Sequence, residues 1–161
     1  MSKLKNELLH LVNADNEKVS KILDKYHENN IDEPTYQENI QEIESCFSQF
    51  TLFEIINKLK DCNSEWSKKE LLRIKTKSPI SLLLTHQLIR QGCNMNLKEC
   101  LKMEYRVAIR CMQNHDFYQG VKSVLIDRKN TPIWQHSKLN ESIKFAPYFR
   151  PFENENEDLN F

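Results

Sequence analysis

Residues 78–92, SPISLLLTHQLIRQG, carry the clearest structural signal in the sequence. Ser78 offers a hydroxyl that can cap a helix, and Pro79 suits the first helical position, where no backbone N–H is needed. The leucines and isoleucines that follow recur at helical spacing. The pattern stops before Gly92, which predicts that this glycine lies just past the end of the helix. The stretch therefore predicts an α-helix with a marked start and a marked end.

Similar signals on both sides of this stretch predict further helices. Three pairs have the spacing of a capping box, in which an N-cap side chain and a glutamate three residues later bond each other's backbone: Thr51 with Glu54, Ser67 with Glu70, and Asn96 with Glu99. Apolar stripes at helical spacing mark three earlier helices and the longest later one: Leu4, Leu8, Leu11 and Val12; Val19, Ile22, Leu23 and Tyr26; Tyr36, Ile40, Ile43 and Phe47; and Leu101, Tyr105, Ile109 and Met112.

The region after residue 115 predicts one more long helix and a less regular end. Asp116 with Gln119 predicts a helix cap, and the buried side of the helix is predicted to carry Val121, Val124 and Leu125. Gly120 lies inside this helix, where glycine costs about 1 kcal/mol relative to alanine. We therefore expect another backbone to approach closely there. Beyond it we expect a short helix near 141–145.

The composition supports a helical chain and excludes several classes of function. Of 161 residues, only Gly92 and Gly120 are glycine, whereas average usage gives about eleven. Glycine-rich phosphate loops and dinucleotide-binding fingerprints need more. No strand pattern is convincing. We predict an all-α fold of about eight helices, a single domain over 1–150, and an acidic flexible tail over 151–161.

Charge and cysteine content limit the environment and the partners. Lysine plus arginine and aspartate plus glutamate each number 23, so the basic excess typical of nucleic-acid binders is missing. No apolar run reaches the ~18–20 residues that span a bilayer. The first residues resemble neither a signal peptide nor a transit peptide, which favours an intracellular protein. The five cysteines form no CxxC pair, so we expect reduced thiols and no zinc or redox motif. We also predict that the chain has no metal site and no cofactor.

A few residues are candidates for chemistry, each beside a structural alternative. His115 and Asp116 can form an acid–base pair, although an adjacent pair at a helix start seldom face each other. Glu104 is a candidate base and Arg106 a candidate anion ligand, or both are ordinary surface charges. The cations of a mixed cluster near one helix end either complement the helix dipole or meet a phosphate: Lys122, Asp127, Arg128 and Lys129 form this cluster. Two tryptophans are either core anchors or stacking platforms: Trp66 and Trp134.

Several motifs in fixed order resemble one known family. They lie at 78–82 (SPISL), 104–106 (EYR), 115–122 (HDFYQGVK), 124–127 (VLID) and 132–134 (PIW). Together they resemble the C-terminal signature of the 3-hydroxyisobutyryl-CoA hydrolases, a branch of the crotonase (enoyl-CoA hydratase/isomerase) superfamily. The resemblance is strong over about 45–136. Departures are Gln119, where the family usually has glutamate, and Val124 and Asp127, where enoyl-CoA hydratases have an aromatic residue and a lysine that help hold CoA.

The resemblance implies the C-terminal helical portion of an α/β enzyme. In that family a preceding crotonase core supplies the oxyanion-hole amides and the acidic catalytic residues, so no catalytic residue transfers to this chain. The implied partners are that core and an acyl-CoA substrate of valine breakdown, with Arg128 and Lys129 as possible neighbours of the CoA phosphates. The implied location is mitochondrial, and the chain alone is predicted to be inactive. Alternatives are a non-catalytic assembly protein, such as a mitochondrial ribosome-associated hydrolase relative, and a helical interaction module.

Overall fold

The computed structural model describes residues 2–28, 31–128, 131–154 and 157–160. Within this part of the chain there are eight α-helices and no strand. The helices are α1 (Ser2–Leu9), α2 (Asn16–Asp24), α3 (Ile40–Phe47), α4 (Leu52–Cys62), α5 (Glu65–Lys75), α6 (Pro79–Gly92), α7 (Leu97–Met112) and α8 (His115–Val121). Three shorter segments are 3-10 turns at Gln37–Asn39 and Ala146–Phe149 and a π turn at Lys122–Ile126. The predicted all-α class is confirmed.

The backbone contacts divide the chain into two compact units, residues 1–38 and 39–161. In the first unit, the Tyr26 hydroxyl donates to Glu7 at 2.7 Å and the Lys25 ammonium donates to Glu7 at 3.2 Å, which ties α2 to α1. The first predicted stripe is too long, because α1 ends at Leu9 and leaves Val12 beyond the helix. The single domain over 1–150 and the flexibility of 151–161 stay predictions.

The second unit contains two apolar clusters. The first joins α4, α6 and α7 and contains Leu52, Ile80, Leu83, Leu84, Val107 and Ile143. The second joins α3 to α4 and contains Cys46, Ile55 and Leu59, with Trp66 packed against it. Half-buried Trp66 also contacts Phe47 edge to face, with ring centroids 6.3 Å apart. Trp66 is therefore a packing residue, as one of its two interpretations proposed.

Two of the three capping boxes are confirmed. The side chains of Thr51 and Asn96 each accept the backbone N–H of the glutamate three residues later. The side chain of that glutamate in turn accepts the backbone N–H of the N-cap residue. The box at Ser67 is wrong, because α5 begins one turn earlier and Ser64 is its N-cap. Ser64 also donates its hydroxyl to Glu42 at 2.5 Å, a contact from another helix that local spacing does not reveal.

Both glycines play roles that differ from the prediction. Gly92 is the last residue of α6 rather than the residue beyond it, and no described glycine has a positive φ. Gly120 meets a side chain rather than a backbone: a Cβ added there lies 3.7 Å from the indole ring of Trp134. The half-buried Trp134 also donates its indole N–H to the Thr76 carbonyl at 3.0 Å.

The region after α7 shows the largest differences from the prediction. Val124 and Leu125, predicted to be buried, are exposed, and both lie on the π turn that follows α8. The helix expected near 141–145 is absent, and a 3-10 turn forms at Ala146–Phe149 instead. On α7 the buried residues are Met103 and Val107, on a different face from the predicted stripe.

Within the described ranges, no helix combines the length and apolar character that a membrane crossing requires. The same residues hold no cluster of three or more histidine, cysteine, aspartate or glutamate side chains suited to a metal ion.

Candidate functional site

The buried carboxyl group of Asp116 joins three parts of the second unit. Its Oδ2 accepts the hydroxyl of Ser78 at 2.5 Å, and its Oδ1 accepts the backbone N–H of Gln135 at 2.7 Å. Ser78 is in turn the N-cap of α6. One carboxyl group therefore connects the start of α6, the first turn of α8 and the loop after residue 131.

The structure does not form the acid–base pair considered for His115 and Asp116. His115 is exposed, and its Nε2 lies 2.8 Å from the Ile133 carbonyl oxygen. Both carboxyl oxygens of Asp116 are already occupied by Ser78 and Gln135. The predicted cap at Asp116 is also wrong, since Asn114 is the N-cap of α8 and makes no side-chain cap bond. His115 and Asp116 therefore hold α8 to neighbouring segments through hydrogen bonds and do not form an acid–base pair.

The pair Glu104 and Arg106 is also divided. Glu104 is exposed on α7, whereas Arg106 forms an ion pair with Asp158, with Nε 3.0 Å from the carboxylate oxygen. This hydrogen bond holds the pKa of Asp158 below its ordinary value. The partner of Arg106 is therefore a carboxylate of this chain, near the C-terminus, rather than an anionic ligand.

A second arginine of α7 holds the same C-terminal segment. Arg110 donates to the backbone carbonyls of Tyr148 at 3.0 Å and Pro151 at 3.3 Å. Its guanidinium also lies 4.6 Å from the centre of the Phe152 ring. Tyr148, Pro151, Phe152 and Asp158 thus contact arginine side chains of α7.

Of the two residues suggested as neighbours of the CoA phosphates, the structure describes only Arg128. Arg128 is exposed, and its Nε donates to the Val124 carbonyl at 3.2 Å. Its guanidinium therefore lies at the surface just after the π turn. Lys129 lies outside the described residues. A role for either in CoA binding stays a prediction.

The most conspicuous surface of the second unit is apolar. Six side chains between residues 117 and 133 are between 41% and 76% exposed, although all are apolar or aromatic. This set, which we call the α8 patch, consists of Phe117, Tyr118, Val124, Leu125, Ile126 and Ile133. Large contiguous apolar surfaces on soluble proteins mark interaction sites, and this stretch of the chain contributes six exposed apolar or aromatic side chains. Sequence reasoning missed the patch because its apolar spacing looks like that of a buried face.

Comparison with known proteins identifies the class to which this fold belongs. The sequence model of the enoyl-CoA hydratase/isomerase family matches residues 1–145. The chain therefore belongs to the enoyl-CoA hydratase/isomerase family.

Two mitochondrial 3-hydroxyisobutyryl-CoA hydrolases show how much of such a protein the chain represents. The chicken protein (Gallus gallus) is 36% identical over 160 residues, which cover 96% of this chain and 42% of that relative. The human protein (Homo sapiens) is 37% identical over 145 residues, covering 88% of this chain and 38% of the relative. The resemblance is confirmed, and the chain spans about two fifths of the length of these relatives.

A solved structure confirms the fold relationship. The chain resembles a carnitinyl-CoA dehydratase from Mycobacterium thermoresistibile with a TM-score of 0.72 and 25% sequence identity. The similarity covers 85% of this chain and 40% of the dehydratase. The helical arrangement is thus shared with part of a larger protein.

Proposed function

We propose that the chain is the C-terminal helical portion of a mitochondrial 3-hydroxyisobutyryl-CoA hydrolase-like enzyme, and that it packs over a crotonase core lying outside these 161 residues. The α8 patch carries this proposal, because it exposes six apolar or aromatic side chains in a protein of balanced charge. Covering them with the rest of the enzyme removes that surface from water, at about 25 cal/mol per Å² of apolar area.

The extent of the relatives supports the choice of occupant. The matched portion is about two fifths of each hydrolase, so the remainder of those proteins is available to cover this surface. The core would polarise the thioester carbonyl through backbone amides and supply the carboxylates for water attack. The helical portion would shape the acyl pocket and exclude water. The chain without the core is expected to cleave no thioester.

The test reconstitutes the two parts. The chain is expressed alone and together with the portion of the human relative that precedes the match. Cleavage of 3-hydroxyisobutyryl-CoA is followed by chromatography of released CoA, and association by size-exclusion chromatography. We expect a stable complex with activity, and no activity for the chain alone above a no-protein control. Cleavage by the chain alone overturns its expected inactivity, and failure to associate overturns the packing proposal.

Matched leucine variants locate the contact. Leu125→Lys places a charge in the α8 patch, whereas Leu72→Lys places one on α5, and the two leucines are similarly exposed at 69% and 63%. We expect Leu125→Lys to abolish the complex and Leu72→Lys to leave it intact. Equal behaviour of the two variants contradicts the assignment of the α8 patch to the core contact.

A further inference from the structure

Two of the five cysteines lie on helices that pack against each other. Cys46 is in the last turn of α3 and is 1% exposed, whereas Cys62 is the last residue of α4 and is exposed. Both are free thiols. The contact between α3 and α4 therefore carries one buried and one exposed sulfur.

Apolar packing places both cysteines at the same part of this contact. Cys46 belongs to the buried cluster that contains Ile55 and Leu59 of α4. Leu59 and Cys62 are three residues apart on α4, so they share one face of that helix. The face of α4 that packs near Cys46 therefore continues to Cys62.

A hydrogen bond outside the cluster gives the same alignment. On α3, Glu42 precedes Cys46 by four residues, which places the two on one side of the helix. The Glu42 carboxylate accepts the hydroxyl of Ser64 at 2.5 Å, and Ser64 follows Cys62 by two residues. The side of α3 that carries Cys46 thus faces the end of α4.

The two thiol groups interact directly and differ in reactivity. Burial raises the pKa of the Cys46 thiol, and the charge and side-chain hydrogen bond of the neighbouring Cys62 thiol raise that pKa further. Because the thiolate is the reactive form, Cys46 reacts slowly with oxidants in solution. Cys62 is exposed, so oxidation begins at its sulfur.

We propose that Cys46 and Cys62 are a redox modification site, at which a peroxide converts the two thiols into a reversible disulfide. The bond joins α3 to the end of α4. The proposal does not depend on the hydrolase assignment, because both cysteines belong to the second unit of this chain.

The reaction with hydrogen peroxide has two steps. The Cys62 thiolate attacks one peroxide oxygen, the O–O bond breaks, and the departing hydroxide takes up the proton released by the thiol, which leaves a sulfenic acid and water. The Cys46 sulfur then attacks the sulfenic sulfur, the S–O bond breaks, and the departing hydroxide takes the Cys46 proton to form a second water. Two thiols are oxidised and one peroxide is reduced. Dithiothreitol reverses the bond by thiol–disulfide exchange.

Peptide mapping of the full 161-residue chain after mild treatment with hydrogen peroxide tests the site. Trypsin cleaves after Lys58 and Lys60, so the two cysteines fall in separate peptides, residues 26–58 and 61–68. We expect mass spectrometry without reductant to find these peptides joined, and dithiothreitol to release them. Absence of the joined peptides overturns the proposal, whether Cys62 stays a thiol or proceeds to the sulfinic acid.

Matched serine variants separate the pair from general cysteine oxidation. Cys62→Ser removes the exposed partner and should abolish the cross-link. Cys93→Ser is the control, because Cys93 is also exposed but lies at the end of α6. We expect this variant to form the Cys46–Cys62 bond in the same yield as the wild type. Equal loss of the bond in the two variants contradicts the pairing.

Thermal unfolding shows whether the bond suits the native structure. A disulfide between these positions closes the loop 46–62 and so restricts the unfolded chain. We expect the oxidised protein to unfold roughly 6–12 °C above the reduced protein, and peroxide to produce no such rise in Cys62→Ser. A lower Tm in fully cross-linked protein shows that the bond forms by distorting the native contact, and overturns the proposal.

Discussion

Replacement of Asp116 by alanine tests the hydrogen bonds that connect α8 to the start of α6 and to the loop after residue 131. The substitution removes the acceptor for Ser78, whose buried hydroxyl lies 2.5 Å from Oδ2, and for the Gln135 backbone N–H at 2.7 Å from Oδ1. A hydrogen bond to a charged group contributes about 1.5–3 kcal/mol, and a buried donor left without an acceptor adds a desolvation cost. Because Gln135 is exposed, we expect a total loss of about 3 kcal/mol.

Urea unfolding followed by far-ultraviolet circular dichroism measures this loss. In thermal unfolding, the same loss of about 3 kcal/mol corresponds to a fall in Tm of roughly 6–12 °C for a chain of this size. Asp61→Ala, an exposed aspartate on α4, serves as the matched control and should change stability by less than about 0.5 kcal/mol. A loss below about 1 kcal/mol for Asp116→Ala refutes the reasoning.

A double-mutant cycle isolates the bond between the two side chains. Ser78→Ala removes both the α6 cap, worth about 1 kcal/mol, and the hydroxyl that Asp116 accepts. If the bond is formed as the geometry indicates, the double variant loses less than the sum of the single variants by about 1 kcal/mol or more. Additive losses show that the two groups do not interact and refute this part of the argument.

Three further predictions concern individual residues. Gly120→Ala should raise stability by about 0.5–1 kcal/mol in thermal unfolding, because alanine favours the helix and its Cβ meets the Trp134 ring at an ordinary 3.7 Å; a loss contradicts this. The Arg106 bond lowers the pKa of Asp158, so the wild type should exceed Asp158→Asn by up to about 1 kcal/mol above pH ~4, and this advantage should vanish as the pH falls through the lowered pKa; equal stability at pH 7 speaks against the ion pair. Burial raises the pKa of the Cys46 thiol, so iodoacetamide on the native protein should label exposed Cys62 well before Cys46 by mass spectrometry, and equal rates argue against that burial.

The fold class was predictable because its signals are local. The caps at Thr51, Ser78 and Asn96 act within one helical turn, so their spacing in the sequence already contains the geometry. The helix start at Ser64 was not predictable, since the choice between Ser64 and Ser67 depends on contacts such as that of Glu42 on a different helix.

The candidate sites were predictable only in part. The motif that contains His115 and Asp116 helped to identify the family. The structural role of Asp116 was not predictable, because its partners Ser78 and Gln135 come from distant positions in the chain.

Residue types at short or ordered spacing were enough to predict the all-α class, the helix starts at Thr51 and Ser78, and the family. Tertiary structure decided which apolar residues are buried and which are exposed. Helical spacing predicts a buried face that carries Val124 and Leu125, but in the structure these side chains are 63% and 69% exposed. The physical reason is that an apolar stripe shows which side of a helix seeks a partner, while burial depends on whether another part of the protein lies against it.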